Sequence, residues 1–175
     1  MNNYDFPAKF RAVYDHAVAQ YTQGVRSAAQ LFSATQSAFL AANGIPAQSL
    51  YDYAEDHVGG GEPGHDHALT IETVRRSYFL NVQGGKPSSA HLDESKMPGK
   101  AEAVRGIEWL PRIIPKAKAK LRGELPPSLM YCCGGDRRFF KTHDILPSEF
   151  LGLVWQHEHN DAAIVDWVVK HRAAQ

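Results

Sequence analysis

Apolar residues recur every three or four positions over residues 6–21, at Phe6, Phe10, Val13, Ala17 and Tyr21, which lines them along one face of a helix. After Gly24, Val25, Ala28, Phe32 and Phe39 fall on a second helical face, closed by the left-handed stop Asn43-Gly44, so residues 5–43 read as a helical hairpin. Pro46 suits a first helical position, and Leu50, Tyr53, Ala54, His57 and Val58 share one side of a third helix that ends at the glycine run from Gly59. Residues 59–66 are glycine-rich and polar and read as a loop. The segment LTIETVRRSYFLNVQ then aligns Ile71, Val74, Tyr78 and Val82, with Glu72 one turn before Arg76, and stops at Gly84-Gly85. Residues 86–100 carry Ser, Pro, Gly and charge without periodicity, and read as a long loop folded as a flap over the central stretch of the chain.

That central stretch, residues 106–140, reads GIEWLPRIIPKAKAKLRGELPPSLMYCCGGDRRFF and is the densest in reactive and backbone-shaping residues. Pro111 and Pro115 each remove a backbone donor, which predicts that the regular helix starts near Ile114. Asp136, after Gly134-Gly135, is placed to cap a short helix through Phe140. Pro147 opens a helix with Phe150, Leu151, Val154 and Trp155 inward, and Asn160-Asp161 caps a last one bearing Ile164, Trp167 and Val168. There is no internal repeat, and residues 129–133 are the one segment read as a very short strand. The pattern predicts an all-α protein, a compact single-domain bundle of about six to seven helices with one long loop. Its parts are the hairpin over 5–43, a central motif region over 69–140 and a C-terminal helix pair over 146–172.

A chain of 175 residues is long enough to bury a core without staples. Its formal net charge of +0 argues against nucleic acid as a partner, and no run of about 18 apolar residues offers a membrane span. The N-terminal residues lack a signal-peptide pattern, so the expected location is cytoplasmic. Cys132 and Cys133 are adjacent, with α-carbons about 3.8 Å apart where an ordinary disulfide spans about 4.4–6.8 Å, and reduced thiols are expected.

Several residues could carry chemistry. Arg112, Lys116 and Lys120 recur at four-residue spacing and can hold a carboxylate or phosphate, although the lysines also fit a solvated flank opposite Ile113, Ala117 and Leu121. Cys133 sits at a glycine turn near exposed backbone donors and close to Arg137 and Arg138, an environment that can make a nucleophilic thiolate, whereas most free cysteines are buried and inert. Arg75 and Arg76 point about 100° apart, so one can pair with Glu72 while the other binds a ligand. His65/His67 and His157/His159 have spacing compatible with a metal, but neither pair has the specificity of a full ligand motif, and no metal site is assigned.

The segments TIETVRRSYFLNVQ, GIEWLPRIIPKAKAKLRGELPPSLMYCCGGDRRFF and LPSEFLGLVWQ resemble a bacterial family known as domain of unknown function 5069, over most of the chain and most densely after Leu69. The resemblance covers Arg75, Arg76, Tyr78, Lys116, Tyr131 and the turn from Cys133 to Arg137, and it implies a common site but no established activity or cofactor. It also implies a glycine where this chain has Cys132 and a helix former where it has Pro115, and the histidines fall outside the pattern.

The leading expectation is binding or transformation of a small anionic molecule. Arg75, Arg76, Tyr78, Arg112, Lys116, Tyr131 and Arg137 are its ligand-binding candidates, and Cys133 and Asp136 its nucleophile or acid-base candidates. The alternatives are a non-catalytic helical interaction module or homodimer, and a metal-dependent enzyme using histidines and carboxylates.

Overall fold

A computed structural model describes residues 3–173. Among them the chain is all-α, with eight α-helices and a two-residue-per-strand hairpin, slightly more helices than expected. It divides between Pro87 and Ser88 into two compact units.

The first unit holds α1 (Phe6–Thr22), α2 (Ala34–Ala42), α3 (Ala47–Gly60) and α4 (His65–Asn81). α1 packs on α3 and α4 around Phe10, Leu50, Tyr53 and Ile71, all essentially sealed from solvent. The second helix is shorter than the apolar spacing predicts. Residues 28–30 form only a 3-10 turn, and α2 begins after Ser33, whose hydroxyl accepts from the Gln36 amide while the Gln36 side chain returns to the Ser33 backbone. That reciprocal cap fixes the start more strongly than hydrophobic periodicity does. The Asn43-Gly44 stop is as expected: Gly44 has φ +68, and an added Cβ would lie 2.3 Å from the Phe79 ring. α4 starts at His65 rather than Leu69, because Gly61, in the left-handed conformation, ends α3 and leaves only residues 62–64 as connector.

The second unit contains β1 (Ala103–Val104) and β2 (Ile107–Glu108), followed by α5 (Leu110–Arg122), α6 (Gly134–Thr142), α7 (Pro147–Gln156) and α8 (Asp161–Ala173). The strands pair antiparallel through Arg105-Gly106, both at positive φ, as a two-residue hairpin turn requires. The strand therefore lies at 103–108, and residues 129–133 are turn instead. α5 begins four residues earlier than the prolines predict. Pro111 occupies the first turn, where its missing donor has no intrahelical partner anyway, and Pro115 removes one bond in the second turn. α5 packs on α7, and Phe139, Phe140 and Phe150 form an edge-on and tilted aromatic cluster behind α6.

Tyr14 in α1 donates its hydroxyl to the Pro63 carbonyl at 2.9 Å, and burial raises its phenol from 10.0 to about 12. Folding thus favours the neutral phenol, so its contribution is complete below about pH 10 and is lost as the pH climbs towards about 12. In urea unfolding, the stability of the wild type relative to Tyr14→Phe should fall by on the order of 2 kcal/mol between about pH 9 and pH 12. A difference that stays constant over this interval contradicts the burial of this hydroxyl.

Candidate functional site

The start of α6 is built around one carboxylate. Asp136, in the first turn, has no exposed surface. One of its oxygens, Oδ1, accepts the Trp109 indole N–H at 2.9 Å. The other, Oδ2, accepts the Lys116 ammonium at 2.6 Å and the Cys132 backbone N–H at 2.9 Å. Lys116, from the middle of α5, is itself only 2% exposed. Burying two charges costs several kcal/mol per ion in principle, and the two further donors on the carboxylate offset part of that cost.

Its position after two glycines suggests that Asp136 is a cap, but Cys133 occupies the cap position, and Asp136 turns inward to collect donors from the preceding turn. The lysines of α5 are not a solvated flank: Lys116 and Lys120 are both buried. Lys116 also donates to the Cys133 sulfur at 3.4 Å, so the structure brings Lys116, Cys133 and Asp136 together as one cluster. Cys132 and Cys133 are both free thiols, the first sealed and the second half-buried. Cys132 has φ +70, a conformation that favours glycine, which accounts for the glycine that the family resemblance implies here.

Arg137, Tyr131 and Arg112 each donate to a backbone carbonyl. Arg137 donates to the Cys132 carbonyl at 2.7 Å and braces the turn. Tyr131 is buried, donates to the Pro147 carbonyl at 2.8 Å, and its phenol is held well above its ordinary pKa by desolvation. Arg112 reaches the Pro98 carbonyl at 2.6 Å and ties the long loop to α5. Arg75, Arg76 and Tyr78 lie in the first unit. There, Arg75 donates to Gln83 at 3.0 Å, while Arg76 donates to Asn43 at 2.6 Å and to Asn3 at 2.9 Å. Of the paired histidines, His65 packs against Tyr14 and bonds Asp66 at 2.8 Å, while His67 and His159 are exposed. Among the described residues no group of three or more His, Cys, Asp or Glu side chains is arranged to hold a metal.

Beside this cluster, and sharing Trp109 with it, lies a cavity of about 660 Å³. Its walls include Lys100, Glu108, Trp109, Gly135, Arg138 and Phe139, and none of the residues singled out as ligand-binding from the sequence. Trp109 is the shared wall. Its φ of +69 is unusual for a non-glycine residue, and hydrogen bonds hold its backbone from both sides: its N–H reaches Glu102, and its carbonyl accepts from Arg112 and Ile113. A Cβ on Gly135 would come within 2.4 Å of the indole, so only glycine lets the ring lie against α6.

The charges lining the cavity differ from their neighbours. Arg105, Lys118 and Arg122 pair with Asp166, Asp161 and Glu158, whereas the side chains of Lys100, Arg138 and Glu108 have neither an ion pair nor a hydrogen bond among the described residues. These three residues carry only a weak signal in sequence. Lys100 ends a long aperiodic loop, Arg138 adjoins the glycine turn, and Glu108 lies on a strand too short to alternate.

Breaking the buried pair should be costly. Lys116→Met alone should cost about 3–5 kcal/mol of stability, because it leaves Asp136 buried without its cation. Combined with Asp136→Asn it should cost less than the sum of the single changes by at least about 1 kcal/mol, measured by denaturant unfolding. Additive losses contradict a direct Lys116–Asp136 interaction.

No curated protein and no solved structure matches the chain. A family match does exist: residues 97–175 fit the sequence model of Domain of unknown function (DUF5069). The stretch around Arg75 lies outside the matched residues, and the match contains the hairpin, the Lys116–Cys133–Asp136 cluster and the cavity walls. Over its second unit, then, this chain resembles the DUF5069 family.

Proposed function

We propose that the protein binds a small anionic molecule in the cavity beside Trp109, with Lys100 and Arg138 as the cationic contacts. The observation that carries this reading is that both cations lack a partner while lining one cavity of about 660 Å³, a volume typical of small-molecule sites. Arg138 offers a planar fork and Lys100 a point charge, together suited to a carboxylate or phosphate. Trp109 and Phe139 supply apolar wall for the body of the ligand.

This moves the anion contacts from the residues that the sequence singles out to their neighbours. Lys116 is engaged by Asp136, and its role is to neutralise the carboxylate that holds Trp109. Cys133 is not among the residues lining this cavity, so the reading is one of binding and assigns no reaction.

Isothermal titration with benzoate, phenylpropanoate and inorganic phosphate tests it. At least one of these anions should bind the wild type, and Lys100→Ala with Arg138→Ala should weaken that binding about tenfold or more. Lys96→Ala, which removes an exposed cation paired with Asp93, should leave it unchanged. Binding that survives the double substitution overturns the assignment.

A further inference from the structure

Glu108 adds a second kind of charge to the cavity. Along β2, Ile107 is buried and the next residue, Glu108, is exposed, as strand alternation dictates, and both line the cavity with Lys100 and Arg138. A carboxylate and two cations that share a hollow would normally be expected to pair. Here no cation–carboxylate distance among the three is within ion-pair range, and none of the three has another partner among the described residues.

The frame around them limits their approach to one another. Glu108 is fixed by the hairpin register with Ala103. Arg138 projects from α6, whose start is locked to the hairpin's end by the Trp109–Asp136 bond. The Trp109 and Phe139 side chains line the same cavity. The cavity thus presents unpaired charge of both signs over an aromatic surface.

We infer that the ligand is a small zwitterion with an apolar body, of the apolar amino-acid type. Its carboxylate meets Arg138 and Lys100, its ammonium meets Glu108, and its side chain lies against Trp109 and Phe139. A simple anion would leave Glu108 unpaired and facing negative charge, a like-charge contact that disfavours it. This inference rests on the anion site proposed above and adds the ammonium contact and the apolar body.

One titration series separates the zwitterion from the anion site. Phenylalanine and leucine are compared with phenylpropanoate and isocaproate, which are the same molecules without the amine, on the wild type, Glu108→Gln and Arg138→Ala. The expected result is that at least one amino acid binds the wild type about tenfold or more tighter than its deaminated counterpart. Glu108→Gln should erase that preference while leaving the carboxylate ligands unaffected or improved, and Arg138→Ala should weaken both classes. Equal binding of amino acids and deaminated acids, unchanged by Glu108→Gln, overturns the zwitterion and leaves the anion site standing. Failure of every carboxylate to bind overturns the zwitterion, and failure of inorganic phosphate as well overturns the anion site. Circular dichroism and thermal unfolding of each variant establish that lost binding is not lost folding, and Glu108 and Arg138 are suited to this because both are exposed at the cavity rim.

Discussion

A carboxylate with no access to water must have its charge met by the protein, and in the second unit Asp136 imposes that demand. It draws in an ammonium from α5, an indole N–H from the residue that starts α5, and a backbone N–H from the turn before α6. The α5 segment from Trp109 to Lys116 and the turn before α6 are thereby held to one side chain. An apolar residue of similar size could fill the volume without the desolvation penalty, but it could not set the orientation of three donors at once. The ion pair's contribution is therefore to geometry more than to net stability.

The cavity inherits that geometry. Trp109 takes a left-handed backbone conformation that costs on the order of 1 kcal/mol for a non-glycine residue, and it is retained because its carbonyl and amide are bonded in both directions and its indole is anchored from behind. Gly135 completes the arrangement by leaving room for the ring. The Lys100, Glu108 and Arg138 side chains that line the cavity are exposed and without partners among the described residues, while Lys116 and Asp136 are buried and paired. That separation underlies the proposal that the cavity charges meet the ligand while Lys116 and Asp136 form the framework.

Much of the fold was legible along the chain because periodicity and stop signals agreed. α1, α7 and α8 follow their apolar stripes, and Gly44 ends α2 as its dipeptide implies. The departures have local causes. Ser33 and Gln36 start α2 where periodicity alone would start it earlier, and first-turn geometry makes Pro111 compatible with α5. The hairpin at 103–108 escapes detection because two-residue strands cannot show alternation and Arg-Gly is not among the strongest turn dipeptides. At the site, residue chemistry singled out Lys116, Cys133 and Asp136, which do converge. Their roles could not be read, since inward or outward projection of Lys116 depends on which turn of α5 meets α6. Lys100 and Glu108 are ordinary surface charges in sequence and Arg138 stands out only as a cation near the Cys133 turn, and what draws attention to all three is that their side chains lack partners among the described residues.

Asp136 fixes the Trp109 indole as the cavity wall, and everything proposed for the cavity depends on that bond. The most direct measurement is hydrogen exchange at the indole N–H by proton–nitrogen NMR, with the Trp109 signal assigned among the three tryptophans by Trp109→Phe. A Trp109 indole proton bonded to Asp136 should exchange about a hundredfold or more slowly than a solvent-exposed indole, in keeping with a closed hydrogen bond. Exchange at the rate of a free indole would mean that the bond is not formed and that the wall is not held in place.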